Sequence, residues 1–80
     1  MTTTIYTTPT CAYCKAAKEF FKKNNVQYSE IDITTDPAQM DVMIKKSGQM
    51  GVPVIVAEKD GQEEIIVGFD QARLAKLASA

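Results

Sequence analysis

The chain contains no histidine. It therefore lacks the side chain most used as a general base near neutral pH, and imidazole is absent as a metal ligand. No apolar run approaches the roughly 18 residues that a membrane-spanning helix needs. Met1-Thr2-Thr3-Thr4 has neither the basic head nor the apolar stretch of a secretory leader. An excess of charge of either sign is missing too: 9 Lys and Arg stand against 10 Asp and Glu, interspersed, for a net charge of −1. That balance offers no electrostatic footprint for nucleic acid or for an anionic membrane. Cysteine is scarce, and the 2 present lie close together as Cys11 and Cys14. What is there is an ordinary globular composition, 45% apolar and 24% charged over 80 residues. It suits one domain, residues 1–80, with a small but adequate core. A cytoplasmic location is the default expectation. In that compartment thiols are kept reduced, so an isolated Cys-X-X-Cys points to catalysis or metal binding rather than to a structural disulfide.

The organising stretch is Pro9-Thr10-Cys11-Ala12-Tyr13-Cys14-Lys15. It lies where a strand pattern (Ile5, Tyr6) gives way to a helix pattern (Tyr13, Ala17, Phe20, Phe21). Residues three apart at a helix start are neighbours on one face. Their Cα atoms fall about 5 Å apart, within the ~4.4–6.8 Å that a disulfide allows. The first turn of a helix also presents unpaired N–H groups and the positive end of the helix dipole. A thiolate is favoured there, so Cys11, nearer the helix start, is the expected reactive sulfur. Cys14, one turn further in, is expected to be the more buried, ordinary thiol.

Around this stretch the pattern predicts seven elements. A strand covers Thr3–Thr7, and a helix runs from about Cys11 to Lys23. Its core face carries Ala17, Phe20 and Phe21, and Lys15, Lys18, Lys22 and Lys23 point outward. Asn24-Asn25 ends it, and Val26–Ile33 reads as a second strand whose second half alone has a clear buried side. Asp36-Pro37-Ala38-Gln39 is a helix start, with an N-cap acid, proline at the first helical position and glutamine at the capping-box position. That second helix carries Met40, Met43 and Ile44 inward and stops near Ser47-Gly48. Val52–Ala57 is a continuous apolar run, as in a central strand. An Asp60-Gly61 turn returns the chain as a strand over Glu64–Val67, so these two strands form an antiparallel hairpin. Gly68-Phe69 turns, Asp70 caps the last helix, and Leu74, Leu77 and Ala78 are its inward face. The first two strands, joined by a helix, are expected to be parallel with a right-handed crossover.

A Cys-X-X-Cys beside a βαβ pattern reads as a thioredoxin-like redox motif. At this size the chain resembles a dithiol glutaredoxin over nearly its whole length. The resemblance is carried by Thr10-Cys11-Ala12-Tyr13-Cys14, with Ala12 where the family has proline, by Gly51-Val52-Pro53, and by Gly68-Phe69-Asp70. It implies a thioredoxin-like α/β fold of order βαβαββα, a four-stranded mixed sheet with helices on both faces. It implies that Tyr13 walls a substrate groove and that Val52–Pro53 is a cis bond facing the dithiol. The Val52 backbone would then be open to an extended peptide. The turn at Gly68-Phe69-Asp70 would receive the γ-glutamyl end of glutathione at its free N–H groups. Three positions depart from the family: Thr8 where users of glutathione often carry lysine, Gly51 in place of threonine, and Val67-Gly68 in place of a glycine pair. Thr7–Thr10 and Gly68-Phe69 also resemble the redoxins that reduce ribonucleotide reductase and are reduced by thioredoxin reductase.

The expected function is thiol–disulfide exchange. Cys11 attacks a protein disulfide or a glutathione mixed disulfide, and Cys14 resolves the intermediate. The plainer alternatives are two structural thiols or half of a metal site; a tetrahedral zinc site wants four ligands, and two thiolates without histidine do not supply them. Tyr13 can simply pack on the helix, Pro53 can open an edge strand, Gly68-Phe69-Asp70 can be only a turn and a cap, and Met40, Met43 and Met50 are most simply packing residues. No metal and no bound cofactor is expected, with glutathione as co-substrate. The expected partners are disulfide-containing or glutathionylated proteins, and glutathione or thioredoxin reductase as electron donor, with no nucleic acid, no membrane and a monomeric chain. Two rivals remain: a Cu(I)-carrying module with Cys-X-X-Cys at its first helix, against which the element order counts, and a glutathione-ligated iron–sulfur dimer.

Overall fold

In the computed structural model, residues 2–78 are described, Ala78 by its backbone alone. The β-branched and aromatic run at the start forms β1 (Thr2–Thr7), followed by α1 (Ala12–Lys23), β2 (Ser29–Asp32), α2 (Pro37–Ser47), β3 (Val54–Lys59), β4 (Gln62–Val67) and α3 (Gln71–Ala78). This is the expected βαβαββα order. The four strands make one sheet in the order β2-β1-β3-β4. β1 and β2 are parallel, with Thr7 opposite Asp32. β3 runs antiparallel to β1 and to β4. The sheet is therefore mixed, and β1 and β3 are its inner strands.

Period-two alternation divides the core between the two faces of the sheet. Ile5, Ile55, Ala57 and Ile66 pack with Ala17 and Phe21 of α1 and with Leu74 and Leu77 of α3. Tyr6, Val54 and Val56 pack with Ile33 and with Met43 of α2. Helices thus cover both faces, and the apolar run of β3 is buried on each side. The inward placement expected of Ala78 lies outside the described side chains.

Local chemistry sets the element ends. Asp36 accepts from the Gln39 N–H at 3.4 Å, with Pro37 at the first helical position. Gly48, at φ 75°, closes α2 with its N–H on the Ile44 carbonyl at 2.7 Å. Asp60 (φ 53°) and Gly61 (φ 80°) join Lys59 to Gln62 in a two-residue turn with both central residues at positive φ, the geometry that matches strand twist.

The second strand is shorter than the Val26–Ile33 expected from sequence, and the reason lies in how α1 ends. Asn25 takes φ 59°, its N–H bonds the Lys22 carbonyl, and Val26 donates to the Phe21 carbonyl at 2.8 Å. This is a Schellman closure, with Val26 packing in the same core cluster as Phe21. Val26 is thus committed to the helix exit, not to the sheet. The third strand begins at Val54 rather than Val52, because Pro53 has no N–H for the ladder; the Val52–Pro53 bond that leads into it is cis. Phe20, expected on the core face, is half-buried; Phe21 is the residue that is fully enclosed.

Candidate active site

Strand register gathers the sequence-predicted residues at one end of the sheet. Tyr6 pairs with Val54 and Val54 with Val67. The loop after β1, the Gly51-Val52-Pro53 segment before β3 and the Gly68-Phe69-Asp70 turn after β4 therefore leave the sheet at the same end. Gly68, at φ 77°, donates its N–H to the Pro53 carbonyl at 2.8 Å, which ties two of these segments together. The third is linked through α1, because the Phe69 ring meets Phe20 edge to face at 6.4 Å between centroids.

Cys11 is the N-cap of α1. Its φ of −88° and ψ of 112° lie outside the helix, and the helix itself begins at Ala12 rather than at Cys11. The N–H of Cys14 donates to Cys11 Sγ at 3.1 Å. Sulfur here occupies the position that a serine or aspartate oxygen usually holds at a helix start. An anionic sulfur at this point accepts from a helix amide and faces the positive end of the helix dipole. Cys11 is half-buried, Cys14 is 1% exposed, and both are free thiols. The Cys14 thiol is pushed up to about 12, by burial first and then by the hydrogen bond and the charge of Cys11, with a hydrogen bond with the Thr8 backbone and the charge of Lys18 opposing the rise. The two sulfurs are thus unequal: one is accessible and capped by an amide, the other enclosed and protonated.

Tyr13 is 67% exposed beside Cys11, and Met50 is exposed to the same degree beside Gly51. Met50 is not the packing residue expected from sequence; Met43 and Met40 fill that role against α2's face of the sheet. Val52 is half-buried against the α2-side cluster, and Pro53 is fully buried. Asp70 caps α3 with its own carboxylate, which accepts from the Arg73 N–H at 3.2 Å, while its carbonyl takes the Leu74 N–H at 2.9 Å.

On the other side of Cys11 a cleft of about 390 Å³ is lined by residues 7–12 with Lys15, Lys18, Glu30 and Asp32. Lys18 is not simply an outward lysine. Its Nζ lies 2.9 Å from Glu30 Oε2, and the buried Thr7 hydroxyl donates to the same oxygen at 2.9 Å. The Lys18 ammonium and the Thr7 hydroxyl hold the Glu30 carboxyl below its ordinary range, and Glu30 in turn raises Lys18. Sequence reading missed this group because Glu30 and Lys18 belong to separate elements. Lys18 lies on α1 with the dithiol, and the parallel β1–β2 pairing brings Glu30 beside Thr7. Among the described residues no three His, Cys, Asp or Glu side chains are grouped to hold a metal ion. Nor is any described helix long and apolar enough to cross a membrane.

A glutaredoxin family model matches residues 3–62 of the chain. Among curated relatives, an uncharacterized glutaredoxin-like 8.6 kDa protein in the rubredoxin operon of Clostridium pasteurianum is 42% identical over 73 residues, covering 91% of this chain and 92% of its own. Among solved structures, the thioredoxin-like protein BC3987 superposes with a TM-score of 0.82 at 35% identity, over 94% of this chain and 97% of the other. The NrdH-redoxin of Escherichia coli, described as glutaredoxin-like with a thioredoxin-like activity profile, superposes at 0.83 over 96% and 95% of the two chains. Its identity is 23%, so that likeness is one of fold.

Proposed function

The chain belongs to the glutaredoxin family, a family of thiol–disulfide oxidoreductases, and on that premise we propose that it reduces protein disulfides or glutathione mixed disulfides through Cys11 and Cys14. The observation that carries the reading is the pair of unequal sulfurs: Cys11 Sγ capping α1 at 3.1 Å from the Cys14 N–H, and Cys14 enclosed one turn behind it. The Cys11 thiolate attacks one sulfur of the substrate disulfide, and the other substrate sulfur leaves as a thiolate. Cys14 then gives up its proton and attacks Cys11, the second substrate thiolate leaves, and a Cys11–Cys14 disulfide remains. An external donor of two electrons restores the dithiol. No bound metal or cofactor enters these steps.

Tyr13, Gly51, Val52, Pro53, Gly68, Phe69 and Asp70 form the substrate groove in this proposal. The common end of the sheet at which their segments emerge supports it. The proposal includes a monomeric, cytoplasmic protein and a choice of donor, glutathione or thioredoxin reductase. One observation weighs on that choice: position 8 is threonine and supplies no cation for a glycyl carboxylate, which favours weak use of glutathione. The test is to follow reduction of an insulin disulfide and of a glutathionylated peptide in parallel, once with glutathione and its reductase and once with thioredoxin reductase. Turnover with at least one donor is expected; no turnover with either would overturn the reading.

A further inference from the structure

We propose that Lys18 is a positioning residue for the resolving step: its ammonium, held beside the dithiol by Glu30 and Thr7, favours the thiolate of Cys14. This rests on the reading of Cys14 as the resolving thiol. Cys14 and Lys18 are four residues apart and share a face of α1. The Lys18 side chain is 26% exposed and is fixed by the 2.9 Å contact to Glu30, which is itself anchored by the buried Thr7 hydroxyl. Its charge therefore acts on the buried sulfur from a fixed position, as the smallest of the influences on Cys14 and partly offset by the Glu30 carboxylate it holds.

The argument turns on what changes when Cys11 enters a mixed disulfide. In the dithiol, three influences oppose ionisation of Cys14: burial, the hydrogen bond with Cys11, and the charge on Cys11. A Cys11 sulfur in a disulfide carries no charge, so the Coulombic influence disappears, and its weak acceptor sulfur no longer restrains the Cys14 proton as a thiolate does. Burial remains against ionisation. The Thr8 backbone and Lys18 remain in favour of it, and Lys18 is the only side chain of the two. The other charged groups around Lys18 and the cleft are Lys15 on α1 and Glu30 and Asp32 on β2, with Tyr28 also acting on Lys18. Glu30 is an unsuitable proton acceptor, because Lys18 and Thr7 already stabilise its anion. The Cys14 proton passes to water or buffer. The resulting thiolate forms a bond to Cys11 Sγ as the bond from Cys11 to the substrate sulfur breaks.

The test mixes the reduced protein with a limiting amount of 5,5′-dithiobis(2-nitrobenzoate) and records release of the coloured thiolate by stopped flow across a pH series. The first equivalent reports attack by Cys11 and the second reports resolution by Cys14. Lys18→Met is expected to move the pH midpoint of the second phase upward, whatever it does to the first phase, since Lys18 and Cys11 line the same cleft. At neutral pH the second phase should slow by about threefold per unit of that movement, since a tenfold loss of thiolate is partly offset by greater nucleophilicity. Above the midpoint the variant should equal or exceed the parent rate. Lys18→Arg, which keeps the charge, should restore most of the profile. A second phase in Lys18→Met that overlays the parent at every pH, or that slows equally at every pH, overturns the proposal and leaves the dithiol reading intact. Release of a single equivalent by the unaltered protein would overturn that reading as well.

Discussion

At one end of the sheet, Asp60 and Gly61 turn β3 into β4, and Asn24, Asn25 and Val26 close α1 before β2. At the other end, the loop after β1, the segment before β3 and the turn after β4 meet around Cys11. The first end is made by residues adjacent in sequence whose own φ values, 53°, 80° and 59°, complete each turn. The second is made by segments far apart in sequence, joined by register, by the Gly68–Pro53 hydrogen bond and by the Phe20–Phe69 contact. The first end can be altered at a cost in stability alone. The second leaves Tyr13 and Met50 exposed, an arrangement that contributes little to folding and that the proposed substrate groove would use.

The sharpest way to break this comparison is at the sulfurs. Cys11→Ser should abolish exchange while the chain stays folded, since serine is itself a preferred N-cap residue. Cys14→Ser should keep exchange with glutathione mixed disulfides, which glutathione can resolve from outside, and lose reduction of protein disulfides. Assays on both substrate types, with circular dichroism as the control for folding, distinguish these outcomes.

Next in size is the core. Phe21 is fully buried between the sheet and its covering helices, and Phe21→Ala should destabilise the protein by about 3–5 kcal/mol. Tyr13→Ala, at a 67% exposed position, should change stability by less than about 0.5 kcal/mol and still weaken substrate binding. Urea denaturation beside a Michaelis constant measures both.

A pH dependence separates the reduced from the oxidised protein. The folded chain holds the Cys14 proton up to about 12, whereas its ordinary value is 9.0. Between these values the unfolded chain has lost a proton that the folded chain retains. Stability of the reduced protein should therefore fall as pH rises through that window. The oxidised protein has no such thiol and should not show this loss. Thermal melts of both forms over alkaline pH check it.

The smallest expected effects on stability come from three small side-chain changes, two away from the site and one, at Gly51, in the proposed groove. Gly61→Ala forces a side chain into φ 80° and should cost about 1 kcal/mol. Gly51→Ala should be close to neutral, because an added Cβ meets nothing nearer than Gln49 Nε2 at 3.4 Å. The Thr3 hydroxyl is buried and has no hydrogen-bond partner among the described residues, so Thr3→Val should stabilise by about 1 kcal/mol. Chemical denaturation of the three variants ranks them.

The same contrast explains what could be read from the sequence. The proline and acid at Asp36-Pro37, the Asp60-Gly61 pair, the apolar run of β3 and the Cys-X-X-Cys at a helix start are local signals, and each led to the right element. Val26 misled because a β-branched residue after Asn24-Asn25 looks like a strand start, while its N–H closes a helix. Met50 misled because an apolar residue is taken as packing until its surroundings are known. Lys18 and Glu30 were out of reach for another reason. Each looks like a surface charge, and their pairing 12 residues apart follows from the parallel register of β1 and β2. The groove residues came through the resemblance, since no period or turn rule links Val52 or Asp70 to Cys11.

The central claim is that the accessible Cys11 attacks and the enclosed Cys14 resolves. The most direct measurement is mass spectrometry of the complexes trapped when Cys11→Ser and Cys14→Ser are each mixed with a disulfide-bonded peptide. The account predicts a stable adduct at Cys11 in Cys14→Ser, formed as fast as the parent protein reacts, and almost none at Cys14 in Cys11→Ser. An adduct forming on Cys14 at a comparable rate would contradict it.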